Sequence, residues 1–224
     1  MYIKKTDPES FQQTASNCIK DKLATLLQTK EKINVALAGG NTPMPILNLL
    51  SKENLDWSKI NFYQTDERLV SIDDKESNFH NLSKAFFSHI ESKAYPMFPG
   101  KQSPENACYN YIKALKKISQ KEGVPCLDLV VLGMGEDGHI ASLFPGSRLL
   151  GEKQKLVMLD PVKRKGSLRM TLSLSMLTHA LETVLLASGS EKINLLASKS
   201  ARTNLPINQL IENNTNITVI CTED

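Results

Sequence analysis

Eighteen consecutive apolar residues occur nowhere in the sequence, which excludes a membrane-spanning helix. The opening residues MYIKKTDPES carry charge with no apolar segment behind them, so a secretory leader is not expected. Cysteine is scarce and scattered. Cys18, Cys108, Cys126 and Cys221 form no C-x-x-C pair, which argues against a disulfide framework or zinc site and for reduced thiols in a cytoplasm. No H-E-x-x-H is present and His and Cys do not cluster, so neither a metal nor another cofactor is expected. The spaced glycines and lysine of a P-loop are missing, as is the G-x-S-x-G elbow of a serine nucleophile, although Ser142 lies near His139. Net charge is small, +3, and spread along the chain. Nucleic acid is therefore not an expected partner, while an anionic metabolite would not be repelled. Asn81, Asn213 and Asn216 begin glycosylation triplets that, without a leader, are chance matches. The single Trp57 and thinly scattered apolar residues give no dimer patch, so a monomer is expected.

What remains is an ordinary globular composition, 41% hydrophobic over 224 residues, enough for one substantial core and one domain, 1–224. Phe11, Ala15, Cys18, Ile19, Leu23, Leu26 and Leu27 recur at helical spacing. INVALAGG (33–40) is a strand that stops at paired glycines. A second helix follows, with Thr42 as N-cap, Pro43 at its first position, and Ile46, Leu47, Leu49 and Leu50 as its apolar stripe. INFYQTDE (60–67) is expected as a strand, 77–90 and 104–120 as helices, and LDLVVLGMG (127–135) as a central parallel strand, apolar on both faces after Asp128. Strands are further expected at 156–159, 169–174, 182–188 and 217–220, with a helix near 190–200. KQSPEN (101–106), KRKG (163–166) and ENNTN (212–216) are expected as surface connections. This alternation predicts an α/β fold: a largely parallel central sheet with helices on both faces, a three-layer, Rossmann-like sandwich.

Three polar clusters fall at strand ends, where open α/β sheets bind ligands. In AGGNTP (38–43), Gly39 and Gly40 allow close backbone approach and the helix start offers N–H groups to an anion, with Asn41 and Thr42 beside them. A tight turn that binds nothing accounts for this stretch equally well. TDER (65–68) taken alone reads first as a solvated charged turn; beside the other loops it would face the same crevice, where Arg68 suits an oxygen-rich ligand and Asp66 suits sugar hydroxyls. In GMGEDGHIASLFPG (133–146), the glycines suggest a flexible loop that presents N–H groups. Imidazoles ordinarily titrate near neutrality, so His139 suits a base, and Asp137 is placed to fix its tautomer. His80, His89 and His179 lack such surroundings and are expected to be structural. Arg169 and Lys192 are cations at the start of a strand and of a helix; Lys192 makes more sense there if an anion shares the space, while each taken alone reads as a surface charge.

AGGNTP, TDER followed by ESNFHNL, LDLVVLGMGEDGHIASLFPGS, RMTLSL and SGSEK stand in this order. Together they resemble the 6-phosphogluconolactonase family, within the glucosamine-6-phosphate isomerase/6-phosphogluconolactonase superfamily, over nearly the whole chain. The resemblance implies a carboxylic ester hydrolase of the oxidative pentose phosphate pathway acting on 6-phospho-D-glucono-1,5-lactone. It implies a phosphate held near Gly39, Gly40, Asn41, Thr42, Arg169 and Lys192. Asp66 and Arg68 would orient the ring, and His139, supported by Asp137, would activate water. The oxyanion donors would be Arg68 or loop N–H groups between Gly135 and Gly138. Deaminases of the superfamily follow the histidine with a segment holding Asn and Glu. Here that segment is Ala141 to Pro145, without a carboxylate, which points away from amino-sugar phosphate deamination. Ala38 stands where family members often carry serine. A silent sugar-phosphate sensor is the remaining alternative, for which the Asp137–His139 pair would have little use.

Overall fold

The computed structural model describes residues 1–164, 166–197 and 204–223. β1 (Tyr2–Thr6) and α1 (Pro8–Thr29) open the chain, followed by β2 (Ile33–Leu37), α2 (Pro43–Leu50), β3 (Ile60–Gln64), β4 (Asp66–Arg68), α3 (Asn78–Ala85), β5 (Lys93–Ala94) and α4 (Pro104–Leu115). The small hairpin of β6 (Gln120–Lys121) and β7 (Val124–Pro125) precedes β8 (Leu129–Gly133). Then come β9 (Val157–Arg164), β10 (Ser167–Leu172), α5 (Leu174–Thr178), β11 (Glu182–Ser188), α6 (Ser190–Ala197), α7 (Pro206–Asn213) and β12 (Ile217–Thr222).

The central sheet has seven strands in the order β1-β12-β11-β8-β2-β3-β5, and each neighbouring pair is parallel. Side chains of period two divide it between two apolar layers. Val35, Leu37, Leu129, Val131, Val184 and Leu186 face the cluster built on Phe11, Ile19 and Leu23 of α1 and on Leu47 of α2. Ala36, Val130, Leu132, Leu185 and Ala187 face the other, which includes Tyr111 of α4, Met170 of β10 and Leu210 of α7. Each fully buried Val or Leu contributes about 1.5–3 kcal/mol, so strands apolar on both faces stay where both helix layers cover them. The expected three-layer α/β architecture is thus the observed one.

Several local expectations change; the strand expected at 169–174 ends at Leu172, and Glu212 and Asn213 of ENNTN close α7 while Asn214 is buried. INFYQTDE is not one strand: β3 ends at Gln64, and β4 pairs with β10 in a separate antiparallel sheet of order β4-β10-β9. Thr65 is the junction. Its N–H donates to Leu37 O in the central sheet at 3.1 Å, and its carbonyl accepts from Leu172 N of the small sheet at 2.8 Å. The helix expected over 104–120 stops at Leu115, and the one over 77–90 stops at Ala85 before a single 3-10 turn. KRKG is narrower than a loop, since Lys163 and Arg164 complete β9 and Lys165 lies outside the described residues. The C-terminal end of the helix expected near 190–200, residues 198–200, also lies outside them.

The chain runs β2 to β3 to β5 in one direction across the sheet, then returns to β8 and continues to β11 and β12 in the other. The reversal lies between β2 and β8, and their carboxyl ends diverge into a crevice. Asp128, almost fully buried, locks the opposite ends of this pair. Its carboxylate takes the Asn34 N–H at 2.7 Å and the Lys30 ammonium, and its own N–H donates to Asn34 O at 2.8 Å. Asp128→Ala leaves the half-buried Asn34 N–H unpaired and should cost about 1–3 kcal/mol. A urea unfolding midpoint equal to the parent's would show that this lock is unimportant.

Candidate active site

The crevice encloses about 540 Å³. Gly40, Asn41, Thr42, Asp66, Arg68, Asp137, His139, Arg169 and Lys192, singled out above from the sequence, all line it. Gly39 alone of that set is not in the wall. It is buried behind it, where a Cβ would come within 2.5 Å of the Asn78 side chain.

The loop after β2 presents N–H groups. Among the described residues, those of Gly40, Asn41 and Thr42 make no backbone hydrogen bond. Thr42 occupies the N-cap position of α2, but it has helical dihedrals and its hydroxyl caps nothing. A capping side chain ordinarily accepts from the second or third helical N–H, and here Pro45 fills the third position and has none. The Met44 N–H is left uncapped as well, and Thr42 lines the crevice with its hydroxyl uncommitted.

The loop after β8 is pinned rather than flexible. Gly135 N donates to His139 O at 2.9 Å, Gly138 N donates to Gly135 O at 3.0 Å, and Met134 bridges Ile140. These bonds consume the Gly135 and Gly138 N–H groups, which removes them from the expected oxyanion donors. Asp137 Oδ1 accepts the His139 N–H at 3.1 Å and lies 2.6 Å from His139 Nδ1. With Nδ1–H donated to the carboxylate, Nε2 carries the lone pair. Burial raises the Asp137 carboxyl, but hydrogen bonds from the His139 backbone and ring, with the imidazole's charge, outweigh it and hold the group below its ordinary value. Phe144 backs the imidazole, its ring centroid 4.6 Å away, and the Arg164 guanidinium lies over the Phe144 ring, 4.6 Å from its centroid.

The opposite wall comes from the small sheet. Arg68 and Arg169 are direct cross-strand partners, as are Asp66 and Thr171. Period-two alternation puts these four side chains on one face and Glu67 on the other. Each guanidinium is steadied by a backbone carbonyl: Arg68 Nη1 donates to Glu76 O at 2.6 Å, and Arg169 Nη2 to Arg164 O at 3.2 Å. Both Nε–H groups are buried without a partner. Burial, then the adjacent Arg68 charge, draws the Arg169 guanidinium below its ordinary value; it remains a cation. Two desolvated like charges side by side make a strong site for an oxyanion. Asp66 is fixed beside them, accepting from Ser142 Oγ at 2.6 Å and Thr65 Oγ1 at 3.2 Å.

The sequence alone gives Glu67 no role separate from its neighbours in TDER. Fully buried, its carboxylate accepts from Gln64 Nε2, Arg68 N, Ser77 Oγ, Asn78 N and Phe79 N, and so holds the start of α3 against β4. Burial pushes this carboxyl above its ordinary value, and the hydrogen bonds oppose that without cancelling it. Asn78 and Phe144 also line the crevice and were not singled out. Asn78 stood within the ESNFHNL segment, whereas nothing in a lone phenylalanine signals a place behind an imidazole. Among the described residues no helix is long and apolar enough to cross a membrane, and no group of acidic, His and Cys side chains could hold a metal ion.

A doubly wound α/β sheet whose switch-point crevice sets a histidine–aspartate pair opposite paired arginines defines the class. The family model described as glucosamine-6-phosphate isomerases/6-phosphogluconolactonase matches residues 6–219, and the chain belongs to that family. It is similar to the 6-phosphogluconolactonase of Thermotoga maritima, 36% identical over 191 residues that cover 84% of each chain. It is also similar to that of Treponema pallidum, 33% identical over 178 residues, 77% of this chain and 74% of the relative. The crystal structure of 6-phosphogluconolactonase from Thermotoga maritima superposes with a TM-score of 0.85 at 31% identity, covering 100% of this chain and 99% of that one.

An added Cβ at Gly135 would lie 2.1 Å from His139 Nδ1. Gly135→Ala should therefore expel the imidazole from Asp137. In ¹⁵N ring spectra of His139, the Nδ1-protonated signature should be lost while the far-ultraviolet circular dichroism stays that of the parent. An unchanged ring spectrum would refute this packing.

Proposed function

We propose that the chain hydrolyses 6-phospho-D-glucono-1,5-lactone to 6-phospho-D-gluconate, with His139 as the general base, in the cytoplasmic oxidative pentose phosphate pathway. The observation that carries the reading is the 2.6 Å Asp137–His139 Nδ1 contact, inside a crevice whose other wall is cationic. It leaves Nε2 as the ring's proton acceptor. A water gives its proton to Nε2 as its oxygen bonds to the lactone carbonyl carbon. The carbonyl oxygen becomes an oxyanion, for which the Arg68 guanidinium and the N–H groups of Glu136 and Asp137, which make no backbone hydrogen bond among the described residues, are the donors left in the crevice. The tetrahedral centre collapses, the ring oxygen leaves, and the imidazolium returns the proton to it. Asp137 stabilises the cation in between. The substrate phosphate is held by the N–H groups of residues 40–42, the Thr42 hydroxyl, Arg169 and Lys192, charge-assisted contacts about twice as strong as neutral ones. Gly39 acts from behind the wall by giving Asn78 room. Such a lactone is an activated ester, so a positioned base worth 10²–10⁴-fold, roughly 3–5 kcal/mol, covers much of the demand. The names of the relatives and the absence of a carboxylate between Ala141 and Pro145 support lactone hydrolysis over deamination.

Freshly generated lactone, followed by coupled oxidation of the product, tests this beside an ammonia assay on glucosamine 6-phosphate. His139→Ala should lose about 10²–10⁴-fold in kcat while still binding 6-phosphogluconate; near-parent turnover removes the base. Arg169→Ala should raise KM for the phosphorylated lactone and leave an unphosphorylated lactone almost unaffected. An equal effect on both would remove the phosphate contact. Ammonia release without lactone turnover would replace the reading altogether.

A further inference from the structure

We infer that Asn78 binds the substrate, its side-chain carbonyl oxygen accepting a hydrogen bond from one ring hydroxyl of the sugar. This rests on the lactone reading and adds a specificity residue to it. Asn78 is almost entirely buried, yet its side chain reaches the crevice wall. Its Nδ2 donates to Asp66 O at 2.9 Å, and its Oδ1 is buried without a partner. The amide cannot be turned over, because that would set Oδ1 against the Asp66 carbonyl at the same distance, two acceptors with no proton between them. The side chain packs against the bare backbone of Gly39, within 2.5 Å of where a Cβ there would stand. The α3 start that carries it is held independently, by Asn78 N donating to Glu67 Oε1 at 2.6 Å.

A buried carbonyl oxygen left open is costly unless a donor arrives. A phosphate dianion has no proton to offer and would be repelled by this oxygen. A sugar hydroxyl has one. Asp66 lies alongside, and its two protein donors leave further lone pairs free. Asn78 Oδ1 and Asp66 thus form an accepting patch beside the donating wall of Arg68, Arg169 and Lys192. A polyol phosphate matches both: its hydroxyls go to the patch and its anionic oxygens to the cations.

The test uses the full chain and lactones generated in place from glucose 6-phosphate and its 2-, 3- and 4-deoxy counterparts. For the parent enzyme, one deoxy lactone should lose about tenfold or more in kcat/KM, because Oδ1 stays buried and unpaired beneath it. Asn78→Ala should lose a similar factor on the complete lactone and nothing further on that deoxy lactone, while Arg169→Ala depresses all four alike. A parent enzyme that treats all four lactones within twofold overturns the inference without any variant. So does Asn78→Ala lowering all four equally, which marks a structural role. Failure of the parent to hydrolyse the complete lactone is a different result and removes the functional reading beneath it.

Discussion

Glu67 carries a carboxylate into a position with no solvent exposure and gathers donors there from Gln64, Arg68, Ser77, Asn78 and Phe79. Because neighbouring residues of a strand face opposite ways, fixing Glu67 inward turns Asp66 and Arg68 outward into the crevice. Its bond to Asn78 N seats the first turn of α3, and the Asn78 side chain in turn needs the bare backbone of Gly39. Gln64 extends the same network, its Oε1 taking Met97 N and its backbone bonding Tyr111 on both sides. One desolvated acid thereby ties the central sheet, the small sheet and a helix start into a single frame.

Charge in this frame is divided by wall. Arg68 and Arg169 are brought together by strand pairing and steadied by backbone carbonyls instead of carboxylates, so their positive charge stays available to a ligand. The carboxylates have other work. Asp66 is held by two hydroxyls, and Asp137 is spent on His139. Few rotamers remain open to any of these groups, and a rigid set of donors costs little to reorganise when charge develops.

Where one local signal decided structure, the sequence was legible. The runs at β2, β8 and β11 are apolar on both faces, and that alone implies helices above and below a parallel sheet. The glycine-bearing loops at the ends of β2 and β8 marked the crevice, and their residues do meet there. Other features depended on distant partners. TDER looked like the end of one strand because nothing in Thr65 announces a change of sheet; only the bonds to Leu37 and Leu172 reveal it. β1 was missed because most of its YIKKT is exposed at the sheet edge and shows no apolar period. Thr42 differs: Pro45, three residues on and without an N–H, was a signal against a helix cap already present in the sequence. The glycines around His139 suggested slack, whereas two of them spend their N–H groups keeping the imidazole still. An unpaired acceptor such as Asn78 Oδ1 has no signature in residue identity at all.

The proposed reaction gives the crevice a direction, with His139 toward the lactone carbonyl and the loop N–H groups of residues 40–42 toward the phosphate. A crystal structure with 6-phosphogluconate bound tests that direction most directly. The C1 carboxylate is expected beside His139 Nε2, and the phosphate among residues 40–42, Arg169 and Lys192. A product bound the other way round, with its phosphate against the imidazole, would contradict it.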